Sequence, residues 1–383
     1  MIIKQLPEDF VVEELNDFKI KDSGAYKLYT LEKHGMESFY LFSHLAKENG
    51  FSVIDIGYAG LKDKHAVTRQ YLTLPADKEF KNLREKNFEL KFLGYVDERI
   101  KSGQMAGNKF VITVRKLGKG EFEAVARRAA ELQRTGVPNY FDEQRFGSVG
   151  ENEFPAKYVA RGNYEKAVRA YLTSKKTSDR SRLRRERELI KKNWGNFEGL
   201  DIESTDLLGI LTEYISTKDW LKAYLKIPTN IRKMSLSAYQ SYLWNECARA
   251  VLLEHLPKNK LYDIDYPEGK FTFYRDLSEK ELSSLPQHFK TLGPVMELDS
   301  DEERVVKKVL SKEGLKLKGL DIKDATGDYF GVRERLLILR PKDFAISEPE
   351  PDEINPKSFK VKLAFSLPPG SYATMITRRI FNS

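Results

Sequence analysis

The chain has 383 residues, with 65 basic and 57 acidic side chains, a net charge of +8 and 40% hydrophobic residues. This is a globular balance with length for two or three domains, and 11% aromatic residues exclude disorder over most of the chain. No run of about 18 apolar residues occurs, which excludes a membrane-spanning helix.

The first 35 residues read as β-structure. Phe10, Val12 and Glu14 fall on one face of a strand, and a second run alternates from Ala25 to Leu31. Residues 37–49 predict a helix, with Phe39, Phe42, Leu45 and Ala46 at 3–4 spacing and Gly50 as its stop. Strands are expected at Val53–Tyr58 and Arg69–Leu74, with the polar segment AGLKDKHAVT between them. Further strands are expected at Phe88–Val96 and Phe110–Lys116, then a helix from Phe122 to Gln133 ending at Gly136. Strands and helices mix without a βαβ rhythm, which favours α+β with a largely antiparallel sheet. Residues 153–260 are rich in helical patterns, including Glu165–Leu172, Asp206–Leu211 and Ser237–Leu253. The acidic, proline-spaced Ser347–Glu353 reads as an extended, solvated connector, followed by a strand at Ser358–Ser366.

Charge is concentrated. Between Lys175 and Lys192 lie nine basic residues: Lys175, Lys176, Arg180, Arg182, Arg184, Arg185, Arg187, Lys191 and Lys192. Only Asp179, Glu186 and Glu188 oppose them, so the segment carries +6 of the chain's +8. A solvated helix laced with ion pairs is one reading, and an electrostatic footprint for phosphates is the other.

The one cysteine, Cys247, cannot form an internal disulfide and sits in a helical pattern, as a small buried hydrophobe would. The N-terminus lacks a basic-then-apolar leader, so a cytoplasmic location is expected. The five histidines are scattered, and no metal site of His and Cys is expected. Phosphate-loop, dinucleotide, zinc-protease and Gly-x-Ser-x-Gly motifs are absent from the sequence. Two segments remain as candidates. Asp63 lies between Lys62 and Lys64 in a polar loop between apolar strands; neighbouring cations favour an ionised carboxylate there, although a solvated turn residue fits the same pattern. Asn139–Gly147 interleaves aromatics with Asn, Gln and Arg, which suits either stacking on an unstacked base or a buried aromatic loop.

At these segments the sequence resembles the TruD-type pseudouridine synthases. Ile3-Lys4 with Pro7-Glu8-Asp9-Phe10-x-Val12-x-Glu14 is similar to the family's first motif. Gly60-x-Lys62-Asp63-Lys64-x-Ala66-x-Thr68-x-Gln70 resembles its catalytic motif, and Gly103 with Gly107-Asn108-x-Phe110-x-Ile112 its third. Asn139-Tyr140-Phe141-x-x-Gln144-Arg145-Phe146-Gly147 matches the fourth, and Ser237–Ser241 and Leu367–Thr374 follow in order. The family usually has glycine where this chain has Asp142, and its G-x-R-R pattern stands here as Gly331-Val332-Arg333-Glu334-Arg335.

The resemblance implies conversion of a uridine in tRNA, typically at position 13, to pseudouridine, with no cofactor and no metal. It implies Asp63 as the catalytic carboxylate, attacking C1′ or C6 or taking the 2′-proton. Phe141 would stack on the flipped uracil, Asn139 would help hold the loop and base, and Lys4 would pair with Asp63. Lys62, Gln70 and Arg145 would hold the loop or RNA, and Arg182, Arg184, Arg185 and Arg187 would contact RNA. The catalytic domain would comprise residues 1–150 and 336–383, with an inserted α/β TRUD domain at 151–335 and RNA in the cleft. The partner is tRNA, and a monomer is expected. A non-catalytic RNA-binding module or RNA chaperone on the same scaffold is the alternative, with a metal-dependent nuclease a distant third.

Overall fold

A computed structural model of the chain describes residues 1–81, 83–147, 153–175 and 179–382. In chain order the first elements are β1 (Phe10–Leu15), β2 (Tyr26–His34), α1 (Ser38–Asn49), β3 (Gly57–Tyr58), β4 (Val67–Pro75), β5 (Arg84–Glu85), β6 (Phe88–Val96), β7 (Gly107–Leu117) and α2 (Phe122–Thr135). The middle holds β8 (Val137–Pro138), α3 (Pro155–Ala160), α4 (Tyr164–Thr173), α5 (Ser181–Lys192), α6 (Thr205–Thr217), α7 (Trp220–Leu225) and α8 (Thr229–His255). There follow β9 (Leu261–Tyr266), β10 (Gly269–Tyr274), α9 (Glu279–Ser283), β11 (His288–Lys290), α10 (Ser300–Lys312), α11 (Lys323–Thr326), β12 (Glu334–Leu336) and β13 (Ile338–Leu339). The chain closes with β14 (Lys342–Ile346), β15 (Glu350–Pro351), β16 (Phe359–Leu367) and α12 (Ala373–Phe381).

Two compact units result. One joins Met1–Gly136 to Arg340–Asn382, and the other spans Val137–Leu339. The division falls earlier than residue 150, which itself lies outside the described residues, because β8 pairs with β13 inside the second unit.

The first unit is built on a ten-stranded sheet with the order β14-β16-β7-β1-β4-β2-β6-β5; β15 pairs with β16 and β3 with β4. The pairing of β1 with β4 is parallel, whereas β1–β7, β2–β4, β2–β6 and β16–β7 are antiparallel. The sheet is therefore mixed and largely antiparallel, and the fold is α+β. Strand β16 returns from the far end of the chain to pair with β7, Leu363 opposite Ile112. A Cβ on Gly107 would meet the Leu367 carbonyl oxygen at 2.6 Å, so glycine permits this close approach.

Helix α1 packs on this sheet. Its buried stripe is Leu41, Phe42, Leu45 and Ala46, against Leu31, Leu72 and Leu90. Phe39, expected on that stripe, is 53% exposed because it lies in the first turn, beyond the edge of the stripe. Val53–Asp55 is a 3₁₀ turn rather than part of a strand: the Ser52 side chain accepts from Ile54 N–H and Asp55 accepts from Ser52 N–H, leaving only Gly57–Tyr58 to pair with β4.

The acidic connector is less solvated than its composition suggests. Asp352 is buried, and its carboxylate accepts from Arg115 Nη1 at 2.9 Å and Lys116 N–H at 3.0 Å. Burial works to raise its pKa, but donors from Asn355, Ile354 and Lys116 outweigh burial and hold it well below the usual range. Arg115 also binds Asp9 Oδ1 at 2.8 Å, tying the start of β1 to the returning segment.

In the second unit the long helix α8 is buried on several sides, through Leu236, Tyr239, Leu243, Trp244, Cys247 and Val251. Its middle, residues 236–252, is enclosed by other elements, whereas its first turns and its end carry exposed polar residues. Burial pushes the Cys247 thiol pKa up, in keeping with a packing role. Among the described residues, shorter helices and three two-stranded antiparallel ribbons accompany α8 in this unit. Among the described residues, no helix is long and apolar enough to cross a membrane.

Candidate active site

Strand pairing explains why residues 59 positions apart meet. Lys4 precedes β1 and Asp63 precedes β4, and these strands run parallel with Val11 opposite Val67. Their N-terminal ends therefore share one end of the sheet. There Lys4 Nζ donates to Asp63 Oδ2 at 2.6 Å. Lys4 Nζ also lies 4.0 Å from the centre of the Phe10 ring. Lys4 holds a left-handed backbone, φ +60°, uncommon for a residue with a side chain. Hydrogen bonds on either side impose it: Ile2 bridges to Arg115, and Leu6 N–H donates to Asp9 Oδ2 at 2.9 Å.

The loop that carries Asp63 is fixed from beneath. The Lys62 side chain turns inward, 7% exposed, to meet the fully buried Glu14 at 2.8 Å, and donates to Asn108 Oδ1 at 3.0 Å. Burial raises the Glu14 pKa and Lys62 opposes that rise. Gln70 is buried on β4 and donates to the Gly60 carbonyl at 3.3 Å. Ser38 and Lys62 exchange hydrogen bonds at 3.1 Å, fastening the loop to the start of α1. The polar contacts of the Lys62 and Gln70 side chains are thus with the loop and the strands beneath it. His65 and Lys64 are exposed.

The second expected segment lies in the other unit. Asn245 of α8 clamps the backbone of Phe141: its Oδ1 accepts from Phe141 N–H at 2.9 Å and its Nδ2 donates to the Phe141 carbonyl at 2.8 Å. The Arg335 guanidinium sits 4.0 Å from the centre of the Phe141 ring and donates to Asn139 O at 2.7 Å and Asn139 Oδ1 at 2.9 Å. Trp244 meets Phe141 edge-on at 5.6 Å. Asn139 is buried, its side chain donating to Leu336 O at 3.1 Å, so its amide holds the segment. Arg145 is exposed, 5.9 Å from the Phe141 ring centre, and binds Ser241 at 3.1 Å and Ser237. Asp142 has extended backbone, φ −81° and ψ 167°, which does not require glycine. Of the Gly331–Arg335 segment, the side chain that reaches Phe141 is that of Arg335, while Arg333 is exposed.

On α5, Arg182, Arg184 and Arg185 are exposed. Arg182 pairs with Glu203 at 2.7 Å. Arg187 points the other way. It is 4% exposed, paired with Asp179 at 3.1 Å and bound to the carbonyls of Tyr171 and Leu172. Arg187 therefore anchors α5 to α4, and the expectation that it contacts RNA is corrected. Lys176 lies outside the described residues.

Sequence reasoning missed Lys33, Asn245 and Arg335 as parts of these assemblies. Among the described residues, no three His, Cys, Asp or Glu side chains converge in a way that would hold a metal ion.

The model of the family described as tRNA pseudouridine synthase D (TruD) matches residues 1–380. The protein named Probable tRNA pseudouridine synthase D 1 of Methanococcus maripaludis is 37% identical, with all of both chains covered. The tRNA pseudouridine synthase D of Aquifex aeolicus is 33% identical over all of this chain and 98% of its own. A crystal structure from Methanosarcina mazei, described under the TruD name, superposes with a TM-score of 0.74 at 24% identity, covering all of this chain and 93% of that one. The chain belongs to the tRNA pseudouridine synthase D family.

Proposed function

We propose that this chain isomerises a uridine of tRNA to pseudouridine through the carboxylate of Asp63. Family membership makes the activity that of a tRNA pseudouridine synthase, an isomerase acting on RNA. The observation that carries the role of Asp63 is its 2.6 Å pair with Lys4 on a loop braced by buried polar groups. A charge-assisted bond at this distance fixes the carboxylate as an oriented anion, fit to act as nucleophile or base. The reaction breaks the C1′–N1 bond, turns the uracil and joins C1′ to C5, whose hydrogen leaves as a proton while N1 takes one up. Product and substrate are isomers, so no redox partner is required. The target base must leave its stack to be reached. By the family pattern Phe141 would stack on it, and the exposed arginines of α5 would attract the phosphates. Position 13 is the target that the family pattern implies, and we place the enzyme in the cytoplasm as a monomer.

Release of tritium from tRNA labelled at uracil C5 tests this. Wild-type protein should release it, and Asp63→Asn should lose about 10³-fold or more of the rate. Wild-type turnover by Asp63→Asn would sink the assignment. Tight, salt-sensitive binding by the wild type without tritium release would favour an RNA-binding module. Mapping pseudouridine in tRNA from cells with and without the protein tests the position.

A further inference from the structure

Lys33 is a fully buried lysine beside the Asp63 loop. It lies near the end of β2, opposite Thr68 of the antiparallel β4, so its side chain arrives beneath the loop that leads into β4. Its ammonium donates to the carbonyls of Met36 at 2.7 Å, Asp63 at 2.8 Å and Lys62 at 3.4 Å. An ammonium has three donors, and these three acceptors span the loop and the turn into α1.

We infer that Lys33 is a positioning residue for the isomerisation, its ammonium holding the backbone of Lys62 and Asp63 so that the Asp63 carboxylate stays aimed at the target nucleoside. This rests on the role proposed for Asp63. The pair with Lys4 fixes the tip of the side chain, and Lys33 fixes the backbone from which that side chain springs. Losing the proton leaves two donors and a lone pair facing carbonyl oxygens, so the grip loosens. Burial lowers the Lys33 pKa to about 8; Asp63 and Glu37 oppose that fall and Lys62 adds to it. These are the charged groups around it from the loop and the start of α1, with Lys4 acting through its pair with Asp63. Its strand partners Thr68 and Phe88 carry no charge, and Glu32 on β2 is paired with Arg69.

The sign separates positioning from stability. The folded pKa lies below the ordinary 10.5, so between about 8 and 10.5 the unfolded chain binds more protons. Stability from this group therefore rises with pH across the window in which its grip on the loop is lost. Turnover should fall there without loss of thermal stability from Lys33.

The experiment measures kcat and KM by tritium release from about pH 6 to about pH 9.5, with thermal unfolding at each pH. The proteins are wild type, Lys33→Arg, Lys33→Met and Asp63→Asn. Wild-type kcat should fall about ten- to thirtyfold between about pH 6 and about pH 9.5, with little change in KM. Lys33→Arg, whose cation does not titrate, should start lower and lose that fall. Alkaline loss caused by the uracil N3–H would persist in Lys33→Arg, and such persistence would overturn the inference. Lys33→Met should lower kcat about 10²-fold near neutrality. A flat wild-type profile, or a wild-type profile in Lys33→Met, would also overturn it. If Lys33→Met fails to fold, wild type and Lys33→Arg decide. An active Asp63→Asn would overturn the role of Asp63 and this inference together. An inactive Asp63→Asn with a flat wild-type profile overturns the inference alone.

Discussion

The two units hold their functional segments by different physics. In the first, charges position the loop around Asp63: the Lys4–Asp63 pair, the buried Lys62–Glu14 pair and the Lys33 ammonium. In the second, neutral amide groups and one guanidinium grip backbone: Asn245 on Phe141 and Arg335 on Asn139. The Lys33 ammonium, whose pKa burial lowers to about 8, answers to pH near neutrality, and an amide clamp does not. On the roles proposed for Asp63 and Lys33, the loop that carries the chemistry is the one whose geometry follows protonation.

The largest test of that contrast is removal of one partner from the buried pair. Lys62→Met strands Glu14 in the interior, and about 3–5 kcal/mol of stability should be lost in urea denaturation. Glu14→Gln in the same background should restore part of it, because a neutral amide is cheaper to bury than an unpaired carboxylate. No recovery would mean that Lys62 acts through its stem rather than its charge. Next in size is Lys4→Met. The Lys4 side chain is 19% exposed and that of Asp63 36%, so the pair adds little to stability. Its loss should instead cost about 10²-fold in kcat, with the melting temperature nearly unchanged. Equal losses of activity and stability would assign Lys4 to the fold.

Asn245→Ala should have a smaller effect. It leaves the Phe141 N–H and carbonyl without their clamp, worth about 1–3 kcal/mol. The cost should be the same at pH 6 and pH 9, because the titratable group that Asn245 bonds, the Tyr266 hydroxyl, is held by burial well above its ordinary value. A strong pH dependence would erase the distinction between the two units.

The sequence disclosed these assemblies unevenly. Strand and helix positions were legible because alternation and 3–4 spacing report burial directly, as at Phe88–Val96 and Phe122–Thr135. The spacing around Asp63 and Phe141 was legible through the family pattern. The reason Lys4 reaches Asp63 was not, since local periodicity is silent about β1 and β4 running parallel. Lys33 gave no signal: in Glu32-Lys33-His34 it reads as strand-edge polarity, and only the sheet shows that its side chain points inward. Asn245 lies in a helical pattern whose apolar neighbours explain it without a clamp. Arg187 was misread for a related reason. A run of arginines hides the one on the apolar face, where Ile190 marks the buried side of α5.

The smallest expected effect concerns that helix, and it divides α5 into two faces. Arg182, Arg184 and Arg185 are exposed, so each can meet a phosphate without unfolding anything. Changing all three to Gln should weaken tRNA binding only a few-fold at high salt, where their contribution is screened. At low salt the loss should grow. If each arginine neutralises one phosphate, the slope of log affinity against log salt should fall by about 2–3. Arg182 also pairs with Glu203, so the change frees that carboxylate and its share of the loss includes new repulsion of RNA. A single variant at Arg185 separates that term. Stability should stay within about 0.5 kcal/mol of the wild type, as for surface substitutions generally. An unchanged salt slope would leave α5 a solvated helix whose charge serves the unit it covers. A reduced slope at constant stability would make its outer face an electrostatic grip on tRNA, separate from the chemistry proposed for the Asp63 loop.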